Sequence, residues 1–270
     1  MPIDLRNRVL VMTGGSSGIG AATAVACAKA GMDVVLNGRR AERLAAVAAE
    51  IRASGRAAEV VAGDVTQLGL NAHLLDVAEQ RFGRFDDVLA NAGYGFKKPE
   101  HELDMAELRE IFEVDFFAAF ELLREAARRL LAQRRSGHLL MTSSAVAKFT
   151  LPNFAAYSAA KAAQNHFCRA MRMELRPYGI EVSSVHPITT RTEFFERAAG
   201  YETQAGWVDP AARRTPGWLI QSPETVAHAI IRCLRRPKPE VWTSVAVRLT
   251  AGVVTAFPRL LDVVARRVGP

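Results

Sequence analysis

Tyr157 and Lys161 stand four residues apart in "YSAAK", and Ser144 lies thirteen residues upstream in "MTSSAVAK". On a helix, residues at i and i+4 share a face, so a phenol and an ammonium at this spacing can meet. A cation beside a phenol favours the phenolate and lowers a pKa that starts near ~10. A tyrosine so placed can give and take a proton near neutral pH. Many long helices carry Y-x-x-x-K by chance, so the pattern takes its weight from its company. That company is a glycine-rich stretch near the start, "VLVMTGGSSGIGAA", and "LANAG" between the two.

The glycine-rich stretch holds Gly14, Gly18 and Gly20 in a G-x-x-x-G-x-G spacing, with Ile19 between the last two. Glycines suit a strand that must turn tightly into a helix while its backbone N–H groups approach a phosphate. The helix N-terminus then meets a pyrophosphate with the positive end of its dipole. Ser16 and Ser17 add hydroxyl donors.

In order and spacing these motifs resemble the short-chain dehydrogenase/reductase family over roughly residues 6–240. The resemblance implies a nicotinamide dinucleotide and hydride transfer to or from a carbonyl or carbinol carbon. It implies Tyr157 as general acid/base, Ser144 as the hydroxyl that orients the substrate oxygen, and Lys161 as holder of the nicotinamide ribose. Ser143 is off by one residue, which at a strand end reverses the side-chain direction. Asn91, Ala92 and Gly93 match the small-residue passage beneath the cofactor, and Asp64 and Val65 in "VVAGDVT" match the segment that reads adenine. Pro187, Ile188 and Thr192 in "VHPITTRTEF" match the stretch near the carboxamide and pyrophosphate, with Ile188 where relatives carry glycine. His186 reads as a packed strand-end residue.

One departure concerns the proton path. Relatives carry an asparagine in the long helix after "NAG", serving a water relay behind the lysine through its main-chain carbonyl. Here "FEVDFFAAF" puts Asp115 at that position. An aspartate can keep the carbonyl but adds a charge near Lys161. Asp115 is therefore counted with Ser144, Tyr157 and Lys161 as catalytic, its effect on the relay and the pH profile left open by the sequence.

The second predicted strand ends in "VVLNGRR". NAD-binding domains usually place an acid here to hold the adenosine ribose hydroxyls. This chain offers Gly38, then Arg39 and Arg40. Glycine leaves room for a 2′-phosphate, and a guanidinium can bind it through charge-assisted hydrogen bonds. Arg39 is assigned to the phosphate and Arg40 is its neighbour, so NADP(H) is expected ahead of NAD(H).

The elements that must position these residues are legible as alternation. Short apolar runs at Val9–Thr13, Val34–Asn37, Ala58–Ala62, Asp87–Ala90, His138–Thr142, Glu181–Val185 and around Val241 read as strands. Helix-period segments lie between them, including Ala21–Ala30, Glu42–Ala53, Asn71–Phe82, Ala106–Leu131 and Ala159–Tyr178. That order predicts an α/β, Rossmann-type, doubly wound parallel sheet in one domain over residues 1–240. Residues 187–222 read as a lid, and residues 241–270 as a basic, apolar C-terminal extension. The lid carries Phe194, Phe195, Tyr201, Trp207 and Trp218, which suits a hydrophobic carbonyl or alcohol as substrate.

The formal net charge of +7 raises nucleic acid as a partner, but seven of the Arg and Lys residues lie from Leu234 onward against Glu240 and Asp262. No nucleic-acid-binding motif accompanies them, and that partner is not expected. The three cysteines are scattered, without metal-ligand spacing, so neither a metal nor a disulfide framework is expected. The opening runs straight into a strand without a charged-then-apolar leader, and a cytoplasmic protein is expected. The two long helices carry apolar residues on more than one face, and family members pair such helices, so a homodimer is expected. The tail, with Trp242, Phe257 and several arginines, could instead meet a membrane surface, although packing over the substrate side is favoured. The alternative function is a dinucleotide sensor or scaffold without turnover. Such sensors typically lack the tyrosine or the lysine, and this chain has both.

Overall fold

The computed structural model describes residues 1–193 and 219–260. Seven parallel strands form one sheet in the order β3-β2-β1-β4-β5-β6-β7. They are β1 Val9–Met12, β2 Asp33–Gly38, β3 Ala58–Ala62, β4 Asp87–Ala90, β5 Gly137–Thr142, β6 Ile180–His186 and β7 Glu240–Trp242. The inner strands are buried because helices cover both faces, as a parallel sheet with crossover connections requires. Side chains along each strand alternate between two cores. Leu10 and Met12 join Leu36, Leu89 and Leu140 on one face, while Val9 and Val11 join Val35, Val88 and Met141 on the other.

The first face is covered by α1 Gly18–Lys29, α2 Ala41–Ala53 and a helix that the apolar periodicity did not single out, α7 Pro223–Arg235. Ser222 caps α7 by accepting from Thr225 N, and Pro223 opens its first turn, where no N–H donor is needed. Val226, Ile230, Cys233 and Leu234 form its buried stripe. The second face is covered by α3 Leu70–Phe82, α5 Ala118–Ala132 and α6 Ala155–Leu175. In α6 the buried residues Tyr157, Ala160, Lys161, Gln164, Cys168, Met171 and Leu175 follow the spacing of one helical face. The three cysteines, Cys27, Cys168 and Cys233, are all free and buried in these cores.

The structure corrects one expected element. The predicted helix Ala106–Leu131 is broken into α4 Met105–Phe112, a π-helical turn at Glu113–Phe117, and α5. Asp115 lies in that turn. Beyond β7 the chain forms a further helix, α8 Val245–Ala256, capped by the Ser244 hydroxyl. No helix among the described residues is long and apolar enough to cross a membrane. The lid aromatics Phe194, Phe195, Tyr201, Trp207 and Trp218, and residues 261–270, lie outside the described residues.

Candidate active site

The carboxyl ends of β1, β4 and β5 meet the N-terminal ends of α1 and α6, where a doubly wound sheet presents its crevice. Thr13 ties the first two together, its hydroxyl accepting from the backbone N–H of Asn91 at 3.0 Å and of Ala92 at 3.1 Å. Thr142 at the end of β5 donates to Asn91 Oδ1 at 3.0 Å, while Asn91 Nδ2 donates to the Gly14 carbonyl at 3.3 Å. Gly14 has φ +68°, and a side chain there would come within 2.9 Å of the Ala92 backbone. A methyl on Gly20 would collide with the Gly14 carbonyl, and one on Gly18 would lie 2.9 Å from Thr192 Cγ2. Glycine is therefore required at all three positions for the loop to close.

The first turn of α1 receives no side-chain cap from Ser17, so its N–H groups remain available to an anion. Glycine cradle, uncapped helix start and overlying Thr192 together fit the pyrophosphate of a dinucleotide. Ile19 packs against the core on the α1 side. Pro187 O accepts from Ala145 N at 3.0 Å, and Ile188 O accepts from Thr190 Oγ1 at 2.8 Å, which fixes the loop after β6.

The structure brings Ser144, Tyr157, Lys161 and Asp115 together. Tyr157 is buried, and the nearby Ser144 hydroxyl favours its charged form. Ser143 turns the other way, its hydroxyl donating to the Lys161 carbonyl at 2.8 Å. Lys161 Nζ lies 5.5 Å from the centroid of the Tyr157 ring and donates to the Thr142 carbonyl at 3.0 Å. It is also 3.0 Å from Asp115 Oδ2, in an ion pair almost wholly removed from water. The other carboxylate oxygen accepts from Tyr94 N at 2.9 Å. A side chain on Gly93 would lie 3.1 Å from Asp115 Oδ1 and 3.2 Å from Lys161 Nζ, so the "NAG" glycine makes room for the pair.

Electrostatics follow from this packing. Burial pushes the Tyr157 phenol up, the Asp115 charge pushes it further, and the Ser144 hydroxyl acts against both. Burial also raises the Asp115 carboxyl, opposed by Lys161 and by the Tyr94 N–H. The simple expectation of a lysine-lowered phenol is thus altered, because the lysine charge is shared with an aspartate at contact distance. The Asp115 main-chain carbonyl accepts from Gln164 Nε2.

At the end of β2 the two arginines part. Arg39 is largely exposed, with Nη1 3.7 Å from Asp64 Oδ2. Asp64 also caps its own turn, accepting from Thr66 N at 3.0 Å and Thr66 Oγ1 at 2.8 Å, while Val65 is buried beside it. Arg40 reaches the glycine loop, donating to Ser17 Oγ at 2.6 Å and Ser16 Oγ at 3.3 Å. Its other terminal nitrogen pairs with Glu193, which also accepts from Arg43.

His186 has a supporting place. Its Nδ1 lies 2.9 Å from the Ser144 carbonyl, and its ring stacks on Trp242 at 4.7 Å. Burial lowers its pKa to about 4, so the neutral ring donates to that carbonyl and steadies the serine. Behind it, Glu240 binds Trp242 Nε1 at 3.0 Å and Lys148 Nζ at 2.7 Å. Sequence reasoning missed Thr13, Thr142, Gln164 and Glu193. Thr13 and Thr142 had a signal, each sitting at a strand end beside a motif already singled out; Gln164 and Glu193 had none.

Such a cradle, beside Ser144, Tyr157 and a buried lysine brought together, defines the class: an oxidoreductase working with a nicotinamide dinucleotide. The family model described as short chain dehydrogenase matches residues 8–201. The chain is 38% identical over 224 residues to cis-4-hydroxycyclohexanecarboxylate dehydrogenase of Sinomonas cyclohexanicum, covering 83% of this chain and 87% of that one. An uncharacterized oxidoreductase of Mycobacterium tuberculosis is 32% identical over 257 residues, 95% of each chain. A short chain dehydrogenase/reductase from Burkholderia phymatum, solved in complex with NAD, shares the fold with a TM-score of 0.84, 23% identity and 96% coverage of both chains. The chain belongs to the short-chain dehydrogenase/reductase family.

Proposed function

We propose that this chain is an NADP(H)-dependent oxidoreductase interconverting a carbonyl and a secondary alcohol on a hydrophobic substrate, with Tyr157 as general acid/base. The observation that carries the reading is the Tyr157 phenol held against the Ser144 hydroxyl with the Lys161 ammonium beside its ring. When bound, the nicotinamide gives or takes the hydride. Every other requirement falls to the protein. Ser144 and Tyr157 hold the substrate oxygen between two hydroxyls, and Tyr157 supplies or removes its proton. Lys161 holds the nicotinamide ribose, and Asp115 balances its charge. Because burial and Asp115 raise the phenol, it is protonated at neutral pH, which is the form that reduction needs.

Apolar surroundings support a hydrophobic substrate. Phe154 meets Tyr157 edge-on at 5.8 Å, and Phe96 and Val146 belong to the same cluster. The relative from Sinomonas is named for a cyclohexane ring carrying a hydroxyl and a carboxylate, so a cyclic alcohol is a reasonable first probe. For NADP(H), support comes from the absence of an acid at Gly38 and from Arg40 on the Ser16 and Ser17 hydroxyls, with Arg39 at the rim. Support for a homodimer comes from half-exposed Phe117 and Phe167, with Phe167 packed on Phe116 of the π turn and Phe120 of α5. Light scattering that finds a monomer at micromolar concentration rejects the dimer.

The function is tested by following NADPH oxidation with a panel of cyclic and aryl ketones, for wild type and Tyr157→Phe. Tyr157→Phe is expected to lose at least ~100-fold in kcat while keeping its cofactor affinity. Wild-type turnover by the variant would reassign the acid, and no turnover by either would favour a dinucleotide sensor.

A further inference from the structure

Glu193 follows Thr192, which lies over Gly18, and it sends its carboxylate across to the end of β2. One oxygen lies 2.6 Å from Arg40 Nη1, and the other accepts from Arg43. The same Arg40 guanidinium donates to the Ser16 and Ser17 hydroxyls of the glycine loop. A side chain at Gly38 would come within 3.3 Å of Ser16 Oγ, so Gly38, the serines and the guanidinium share one small patch. Two guanidiniums and two hydroxyls form a seat for a dianionic oxygen cluster. One carboxylate satisfies that seat only in part.

We propose that Glu193 is a specificity-determining residue whose carboxylate competes with the cofactor 2′-phosphate for Arg40 and Arg43, and so sets the margin between NADP(H) and NAD(H). The inference rests on the NADP(H) reading above. A cofactor with a 2′-phosphate must exchange one anion for another on the arginines, whereas NAD(H) leaves the Glu193 pairs intact. Part of the gain from the phosphate is therefore offset by separating Glu193 from its partners. The hydrogen bonds to Arg40 and Arg43 hold the Glu193 carboxyl below the usual range, so it is charged and competing at neutral pH.

The test is calorimetric titration of wild type, Glu193→Gln, Glu193→Ala, Arg40→Ala and Arg40→Ala/Glu193→Gln with NADP⁺, NAD⁺ and adenosine 2′,5′-bisphosphate. Removing the competing charge is expected to tighten NADP⁺ and the bisphosphate by about tenfold, while NAD⁺ changes less than about twofold. Measured against Arg40→Ala, the gain in the double variant is expected to be smaller, because only Arg43 is then freed to receive the phosphate. If wild type prefers NADP⁺ but the Glu193 variants leave the NADP⁺/NAD⁺ ratio unchanged, Glu193 has no part in specificity and the cofactor reading stands. If both cofactors tighten equally, Glu193 governs entry of any dinucleotide and the proposal is overturned. If NAD⁺ weakens, Glu193 is a ribose ligand and the proposal is likewise overturned. A wild type that binds NAD⁺ as tightly as NADP⁺ and ignores the bisphosphate, in a background the variants do not change, overturns both readings.

Discussion

Asp115 shows how one oxygen for nitrogen can re-tune a site without rearranging it. An asparagine there would be neutral, and the Lys161 ammonium would act on the phenol undiluted. With aspartate, the carboxylate sits 3.0 Å from Nζ and its charge adds to burial in raising Tyr157. Removing the negative charge therefore makes the phenolate easier to form. In Asp115→Asn, the alkaline rise of alcohol oxidation and the alkaline fall of ketone reduction are both expected to move to lower pH, by roughly one unit. Parallel pH profiles of kcat/KM read the shift, and superimposable profiles would remove Asp115 from the proton path. The substitution also unpairs a buried ammonium, at a cost of up to about 3–5 kcal/mol, so the melting curve is to be measured with it. The sequence named Asp115 through its departure from the family pattern. It could not say that the carboxylate would touch Lys161 or that Gln164 would take the carbonyl, because contacts between α6 and the π turn depend on how two distant segments pack.

Among elements, the strands were the most legible. Ala58–Ala62 and Asp87–Ala90 are found at the expected residues, because a buried parallel strand is a bare apolar run between turn signals. The long helix after "NAG" hid its break, since a single wide turn barely disturbs apolar periodicity over 26 residues, from Ala106 to Leu131. α7 escaped notice although its cap and apolar stripe are plain in "SPETVAHAIIRCLR". Arg39 and Arg40 were legible as a pair but not as individuals, because only the fold decides which turns toward the serines. The tail divides the same way. α8 rests on the segment after Ser144, with Thr255 Oγ1 3.0 Å from the Lys148 carbonyl, and exposes Val245, Leu249 and Val253 in steps of four, with Phe257 just beyond. Truncation after Thr243, which spares β7, is expected to raise KM for a hydrophobic ketone at least ~3-fold and leave cofactor affinity nearly unchanged. Unchanged kinetics with loss of binding to anionic vesicles would make α8 a membrane device instead.

At the scale of the whole molecule, burying histidines inside a sheet makes stability depend on pH. His138 lies on β5 with Nε2 2.7 Å from Ser183 Oγ, and burial lowers its pKa from 6.5 to about 3, helped by Arg172 and Arg8. His186 is lowered to about 4 by burial, against the pull of the Ser144 carbonyl and Glu240. Between these values and 6.5 the unfolded chain binds the protons that the folded chain refuses. This contribution is complete above pH 6.5 and is lost as pH falls, at up to about 1.4 kcal/mol per unit for each ring. Asp87 and Asp115, both raised by burial, act with the opposite sign, so a variant must isolate the histidine. Urea melts from pH 7 to 5 are expected to fall more steeply for wild type than for His138→Gln. Equal slopes would show that His138 titrates alike in both states.

The burial of Cys27, Cys168 and Cys233 has a practical consequence for anyone wishing to watch this protein move. All three thiols are shifted upward by loss of water, Cys168 to about 12, so none offers a thiolate to an alkylating reagent in the folded state. The native surface is silent to maleimide chemistry, and no background deletion is needed before a probe is attached. One cysteine introduced at exposed Val253 would be the sole reactive site, and a dye there would report whether α8 shifts when a ligand arrives.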